Sequence, residues 1–374
     1  MSTDFSIPSQ VRELINLPQY SLSQKEKEVV LLPILKRELA EMAAKIPAYQ
    51  RFLQRLGWDI EGCSCLAELP YLPVSVFKKF DLCAVTSNQV ARVLHSSGTG
   101  GAVSRIFLDR ETAFRQQRTL AAILQYFLGK KRRPYLVLDT REAVEGTGPI
   151  SARGAAILGL APYSSETSYA MHGSPENCKI DLGSVQQFFE KNEGKEVLLF
   201  GFSYIVWLRF IRPLQEAGIT FHHPQLTLLH SGGWKKLTNQ AVTNEVFDKT
   251  CESLLGSEKG AVRDMYGMVE QVGSVFIDCP AGNKHSANFA EIIIRDPRSF
   301  QPVRSRETGF IQLLSALPTS YPGQSILTED LGVLLGEDDC PCGTTGRYFR
   351  FVGRMQRAEI RGCGDTYAVA KLRR

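Results

Sequence analysis

Three groups of residues in this chain have the types and spacing to do chemistry. The first is Ser96-Ser97-Gly98-Thr99-Gly100-Gly101, three hydroxyls and three glycines behind the apolar residues Val90, Val93 and Leu94. Glycine has no Cβ, so backbone N–H groups in such a loop can close on an anion, and the hydroxyls add donors. Arg105, just beyond, can balance charge. This suits a triphosphate cradle as well as it suits an ordinary Gly/Ser turn. It is not a P-loop, because no Gly-Lys-Ser/Thr follows the glycines. The second group is Cys279, His285, Cys340 and Cys342. Three thiolates and one imidazole suit a closed tetrahedral zinc site, the alternative being unrelated turn residues. The third is a scatter of glycines, rings and carboxylates: Gly232-Gly233-Trp234, Tyr266-Gly267 followed by Glu270, and Thr328-Glu329-Asp330. Glycines beside a strand let a flat ring approach the backbone. Mg²⁺ prefers oxygen ligands such as a glutamate, and an aspartate offers two acceptor oxygens.

The elements that must position these residues follow from periodicity. Ser23 to Glu26 reads as a capping box opening a helix, with Pro33 splitting that helix in two. A further helix runs from Ile46 to Gly57, and a long one from Asp109 to Leu128 with Phe114, Leu120, Ile123, Leu124 and Phe127 on its apolar face. Short buried strands are expected at 135–138, 196–201 and 226–230, alternating with helices at 152–160, 185–189 and 203–210. That alternation argues for an α/β sheet with ligands at the strand ends. After Ala261 the pattern turns β-rich, with strands at 290–297, 309–314 and 331–335. Cys63 and Cys65 could bind a metal but have no third ligand near them, and read as structural or solvent-facing.

Composition narrows the class. The chain has 374 residues, 43% hydrophobic and 22% charged, which fits a soluble globular protein large enough for two subdomains. A net charge of +5 with dispersed basic residues gives little support to nucleic-acid binding and is enough for an anionic substrate. No run approaches the ~18 apolar residues of a membrane span, and Met1 to Gln10 lacks the build of a signal peptide. The expected location is the cytoplasm, where the nine cysteines are not a disulfide framework.

Taken in order, these motifs resemble those of the acyl-adenylate-forming enzymes. The resemblance implies an α/β fold: mixed α/β layers plus a β-rich, barrel-like part over residues 1–352, with the small C-terminal domain reduced to a tail over 353–374. It implies that Ser96, Ser97, Gly98, Thr99, Gly100 and Gly101 hold the ATP phosphates. Gly232, Gly233, Trp234, Tyr266 and Gly267 would bind adenine, Glu270 would hold Mg²⁺, and Asp330 the ribose. Gly353-Arg354 resembles the family's hinge, which makes Arg354 a catalytic candidate. The Cys/His set resembles the structural zinc motif of the phenylacetate–CoA ligase branch.

From His95 to Gly332 the chain resembles most the acyl-protein synthetases of bacterial luminescence fatty-acid reductases, through Ser-Ser-Gly-Thr-x-Gly, Gly-Gly-Trp-Lys and Thr319-Ser320-Tyr321-Pro322. Those enzymes activate a fatty acid with ATP and carry the acyl group on a cysteine within Lys-Gly-Cys; here Arg361-Gly362-Cys363 stands near the end, in different surroundings. The expectation is an ATP-dependent carboxylate–thiol ligase with ATP, Mg²⁺ and structural Zn²⁺. Its acid is fatty or aryl, and Gly201 and Tyr204 are candidates for the acyl-pocket wall. The acceptor is Cys363, a reductase or carrier protein, or coenzyme A. Two rival expectations are a coenzyme A or carrier-protein ligase of the phenylacetate–CoA ligase type, and a non-catalytic nucleotide-binding partner of a reductase. The intact phosphate, Mg²⁺ and ribose motifs argue against the last.

Overall fold

In the computed structural model, the structure describes residues 9–96, 103–145, 152–175, 177–234 and 240–355. In chain order the strands are β1 (Leu72–Pro73), β2 (Val90–His95), β3 (Arg105–Asp109), β4 (Arg133–Val137), β5 (Ser164–Tyr169), β6 (Met171–His172), β7 (Lys179–Ile180), β8 (Val197–Phe202), β9 (Leu226–Ser231), β10 (Val262–Tyr266), β11 (Phe276–Ile277), β12 (Lys284–His285), β13 (Ala290–Arg295), β14 (Thr308–Ser315), β15 (Ser325–Glu337) and β16 (Arg347–Arg354). The chain falls into two compact units. One comprises the described residues up to Tyr126, Gly267–Phe276 and those from Asn283 onwards; the other comprises Phe127–Tyr266 and Ile277–Gly282.

The second unit is built on a sheet of order β11-β10-β9-β8-β4-β5. Neighbours β4/β5, β4/β8, β8/β9 and β9/β10 run parallel. Strands covered on both faces read as continuous apolar runs, and Val197, Leu198, Leu199 and Phe200 are all fully buried. The expected α/β alternation is present. The helix expected at 203–210 extends to Ala217 and includes a π-helical stretch over Val206–Ile211.

The first unit centres on an antiparallel sheet of order β12-β16-β15-β14-β13, with β1 added parallel to β15. The β-rich segment is as expected, although β15 is far longer than 331–335. Helix α1 spans Ser9–Asn16, and the Ser23 capping box opens α2 (Gln24–Lys45). Pro33 does not split α2. It sits on the exposed face, and Val29, whose carbonyl loses its partner, is 69% exposed, so water can replace the missing bond. Helix α3 (Pro47–Leu56) ends at Gly57 in the left-handed conformation, as its sequence signals. Helix α4 (Arg110–Leu128) differs from expectation in its face: Phe114 is exposed while Thr112, Arg115, Gln116 and Thr119 are buried. Burial of Arg115 is possible because Glu38 and Glu111 flank it, at 3.2 and 2.9 Å.

Candidate active site and cysteine–histidine cluster

Strands β2 and β3 form an antiparallel hairpin with His95 opposite Arg105. Ser96 closes its neck, donating its N–H to the Ser104 carbonyl (3.2 Å) and accepting the Ser104 N–H on its hydroxyl (2.9 Å). Ser97, Gly98, Thr99, Gly100 and Gly101 lie outside the described residues. Arg105, expected to balance phosphate charge, pairs with Asp81 at the exposed hairpin base.

Glu270 sits in a short 3₁₀ turn, Val269–Gln271, and is 4% exposed. The turn is fixed by its neighbours. Tyr321 donates its hydroxyl to the Glu270 carbonyl at 2.9 Å. The Gln271 amide donates to the carbonyls of Leu313 and Gly323, and Ser274 bonds Ser315.

Asp330 lies within β15, not in a turn between strands. Its register partner on β16 is Arg354, whose Nε donates to the Asp330 carboxylate at 2.8 Å. The Asp330 side chain is buried and that of Arg354 is exposed. Thr328 sets the strand locally: its hydroxyl donates to the Ile311 carbonyl and accepts the Asp330 N–H. Gly353, just before Arg354, has φ +153°, which explains a glycine there.

In the parallel-sheet unit, Gly232 follows β9 with φ +80°, and a Cβ there would meet the Phe202 ring at 2.9 Å. Gly233 has open space beside it, and Trp234 sets its ring edge-on to Trp207. Tyr266 ends β10 and is buried; Gly267 is the next residue. Gly201 has a packing reason, since a Cβ there would meet Val206 and Leu138 within 3 Å. Tyr204 packs against the same core.

One constellation here is invisible in the sequence. Parallel register places Gly201 beside His230 and His230 beside Asp264, at the carboxyl ends of β8, β9 and β10. The Ser203 hydroxyl lies 2.9 Å from His230 Nδ1, and Asp264 lies 3.6 Å from the same nitrogen. The one available signal is a histidine closing the apolar run Leu226–Leu229.

The metal-type residues come together. The ligand atoms of Cys279, His285, Cys340 and Cys342 all lie within 4.8 Å of one another. Cys342 Sγ is 3.3 Å from both His285 Nε2 and Cys340 Sγ. Zn–S bonds of ~2.3 Å and Zn–N bonds of ~2.0 Å give ligand–ligand edges of similar size, so the donor set fits zinc. Burial pushes the His285 imidazole down to about 4, which leaves it neutral and able to ligate at neutral pH. By contrast, Cys63 Sγ is turned to the carbonyls of Asp59 and Glu68, as expected of a structural cysteine. The described cysteines form no disulfide.

The family model for "Acyl-protein synthetase, LuxE" matches residues 7–371. The chain belongs to this family. It is similar to the "Long-chain-fatty-acid--luciferin-component ligase" of Vibrio harveyi, 24% identical over 331 residues that cover 86% of this chain and 83% of the relative. The protein of that name from Aliivibrio fischeri is 26% identical over 307 residues, covering 80% and 78%. In fold it is similar to a 2-hydroxyisobutyryl-CoA ligase solved with 2-HIB-AMP and CoA, with a TM-score of 0.67, 15% identity, and 90% of this chain and 77% of the other covered. The LuxE-family chain is therefore an adenylate-forming enzyme in fold, and an ATP-dependent ligase. It activates a carboxylic acid as acyl-AMP and passes the acyl group to a thiol. Among the described residues no helix is long and apolar enough to cross a membrane.

Proposed function

We propose that the acid is a long-chain fatty acid and that the thiol is the chain's own Cys363, from which the acyl group goes on to a reductase partner in the cytoplasm. The support for this reading is the reach of the family match, which runs to residue 371 and so takes in Cys363 as well as the ATP motifs. Residues 1–352 act as the adenylating domain and 353–374 as the acyl-carrying tail.

The acid's carboxylate oxygen attacks the α-phosphorus of ATP and pyrophosphate leaves. Both reactants are anionic, so alignment and charge compensation carry the step. Ser96 to Gly101 hold the β- and γ-phosphates. Gly232, Gly233, Trp234, Tyr266 and Gly267 hold the adenine. Asp330 accepts the ribose hydroxyls, with its carboxylate oriented by Arg354. Mg²⁺ neutralises phosphate charge when bound, and Glu270 is the carboxylate that holds it. Gly201 and Tyr204 border the acyl chain. The Cys363 sulfur, having given up its proton, then attacks the acyl carbonyl and AMP leaves. Arg354, Arg357 and Arg361 favour the thiolate. Cys279, His285, Cys340 and Cys342 hold zinc in a closed set with no open position, so zinc serves structure and takes no part in the chemistry.

Radiolabelled long-chain acid and ATP should label the protein, and neutral hydroxylamine should release the label. Cys363→Ser should keep pyrophosphate release and lose the label. Labelling that survives the substitution, or none in the parent while coenzyme A is acylated, would overturn Cys363 as acceptor. Glu270→Gln and Asp330→Ala should each slow pyrophosphate release by about 100-fold, the scale of one lost polar contact in a desolvated site.

A further inference from the structure

The segment Thr319-Ser320-Tyr321 bonds in two directions at once. Toward the phosphate hairpin, the Ser320 hydroxyl donates to the Phe107 carbonyl at 2.8 Å and accepts the Asp109 N–H at 3.2 Å. The Thr319 hydroxyl bonds the Asp109 carboxylate at 3.1 Å and the Thr112 hydroxyl at 2.6 Å, while the Thr319 N–H donates to Thr112. Phe107 and Asp109 belong to β3, the strand that leaves the phosphate loop. Toward the other side, Tyr321 donates its hydroxyl to the main-chain carbonyl of Glu270. Its ring is fully buried, edge-on to Phe77 and packed against Gly323.

We infer that Thr319, Ser320 and Tyr321 are positioning residues that act as one rigid strut, fixing the distance between the base of the phosphate loop and the Glu270 turn. The inference rests on the proposed roles of the loop and of Glu270.

Three observations carry it. Ser320 and Tyr321 are fully buried, so water does not compete for these bonds. Adjacent residues of one short segment cannot move independently, so a shift of β3 is transmitted to Tyr321. The Glu270 turn also has no slack behind it: a Cβ on Gly273 (φ +92°) would meet the α4 backbone at Gln116 at 2.8 Å. Mg²⁺ held by Glu270 would have to reach the phosphates, so the loop and the turn would need a set separation, and misplacement by about 1 Å can cost 100-fold in rate. The hydroxyls of Ser320 and Tyr321 supply that spacing from outside the reacting atoms.

Tyr321→Phe removes a single hydroxyl and keeps the packing. The expected result is an about tenfold rise in the Mg²⁺ concentration for half-maximal pyrophosphate release, with kcat at saturating Mg²⁺ within about threefold of the parent. Ser320→Ala, which breaks the other end of the strut, should raise the same Mg²⁺ concentration by a similar factor. The double variant should raise it by much less than the product of the single effects, because one strut is already broken. A merely structural role would lower thermal stability and leave the Mg²⁺ requirement unchanged, which would overturn the inference, as would multiplicative effects in the double variant. Glu270→Gln run alongside separates the two layers. If it leaves the Mg²⁺ dependence untouched, the metal role of Glu270 fails. If it shifts that dependence while Tyr321→Phe does not, only the strut fails.

Discussion

The two units place buried charge differently: the parallel-sheet unit keeps it at the strand ends, where Asp139, just past β4, pairs with Arg153. In the parallel sheet the central strands are packed with Leu136, Val137, Val197, Leu199, Leu226 and Leu228, all apolar. The antiparallel unit buries charge. Lys27 and Glu291 pair at 3.1 Å with both side chains essentially inaccessible, Arg115 lies between Glu38 and Glu111, and Arg295 donates to buried Gln312. The difference tracks what each sheet has to do. Apolar contacts tolerate small sliding. Hydrogen bonds weaken steeply with distance and angle, and so fix register. The antiparallel unit carries Glu270 and Asp330 at set places, and its interior is held by interactions that do not slide.

This contrast predicts that the two interiors fail differently. Glu291→Ala leaves Lys27 charged and buried without its partner and should cost about 3–5 kcal/mol. Leu199→Ala in the parallel sheet should cost a comparable 2–5 kcal/mol, through a cavity. Only the first loss is open to a largely apolar repair: Lys27→Met with Glu291→Leu should recover part of the stability, since an apolar pair replaces a desolvated ion pair while the Gln24 amide, the Ser286 hydroxyl and the Ile292 N–H lose their acceptor. Burial alone would raise the Glu291 carboxyl. Lys27, Arg347, the Ile292 N–H and Gln24 instead hold it below the usual range, so the Glu291 carboxylate is charged at neutral pH. Denaturant melts of the parent and the three variants test this. A double variant no more stable than Glu291→Ala would mean that this interior needs its charges for folding itself.

The cysteine–histidine cluster sharpens the same comparison, because a metal there clips segments far apart in sequence. Protein purified without added metal should carry about one zinc per chain. Cys340→Ser should lower stability by about 3 kcal/mol, the scale of a cross-link closing a long loop. Elemental analysis and thermal melts decide it: a metal-free protein, or a Cys340→Ser variant as stable as the parent, would remove zinc from the account.

Legibility in the sequence divides along the same line. The parallel strands were readable as short apolar runs, and the capping box at Ser23 and the stop at Gly57 were readable from local chemistry. The family motifs marked Glu270 and Asp330. What stayed hidden depends on partners distant in sequence. Nothing near Arg115 announces that Glu38 will let it be buried, so the sequence puts Phe114 on the inner face of α4 instead. Pro33 reads as a break because a sequence does not say which side of a helix meets water. Ser203, His230 and Asp264 come together only through parallel register. Tyr321 was visible within a motif, but its hydroxyl's partner, the Glu270 carbonyl, was not.

The smallest expected effect tests the polar interior through pH. Burial pushes the Glu38 carboxyl up to about 8, against the opposing pull of Arg115. One of its oxygens, Oε2, is buried with no hydrogen-bond partner. The folded pKa thus lies above the ordinary 4.5 of the unfolded chain. Between those values the folded state binds the proton more tightly, so this group's contribution is fully present below pH 4.5 and is lost as pH rises through about 8. Glu38→Gln removes the titration and keeps the shape, with Arg115 still paired to Glu111 at 2.9 Å. The variant should show a flatter stability profile across that window. Relative to the parent it should gain about 1 kcal/mol at the alkaline end, once the weaker bond to Arg115 is set against the relieved burial of charge. Urea melts at both ends of the window measure the two slopes. If parent and variant lose stability in parallel, Glu38 is ionised throughout in the folded protein, and the Glu38–Arg115 contact is a fully charged pair.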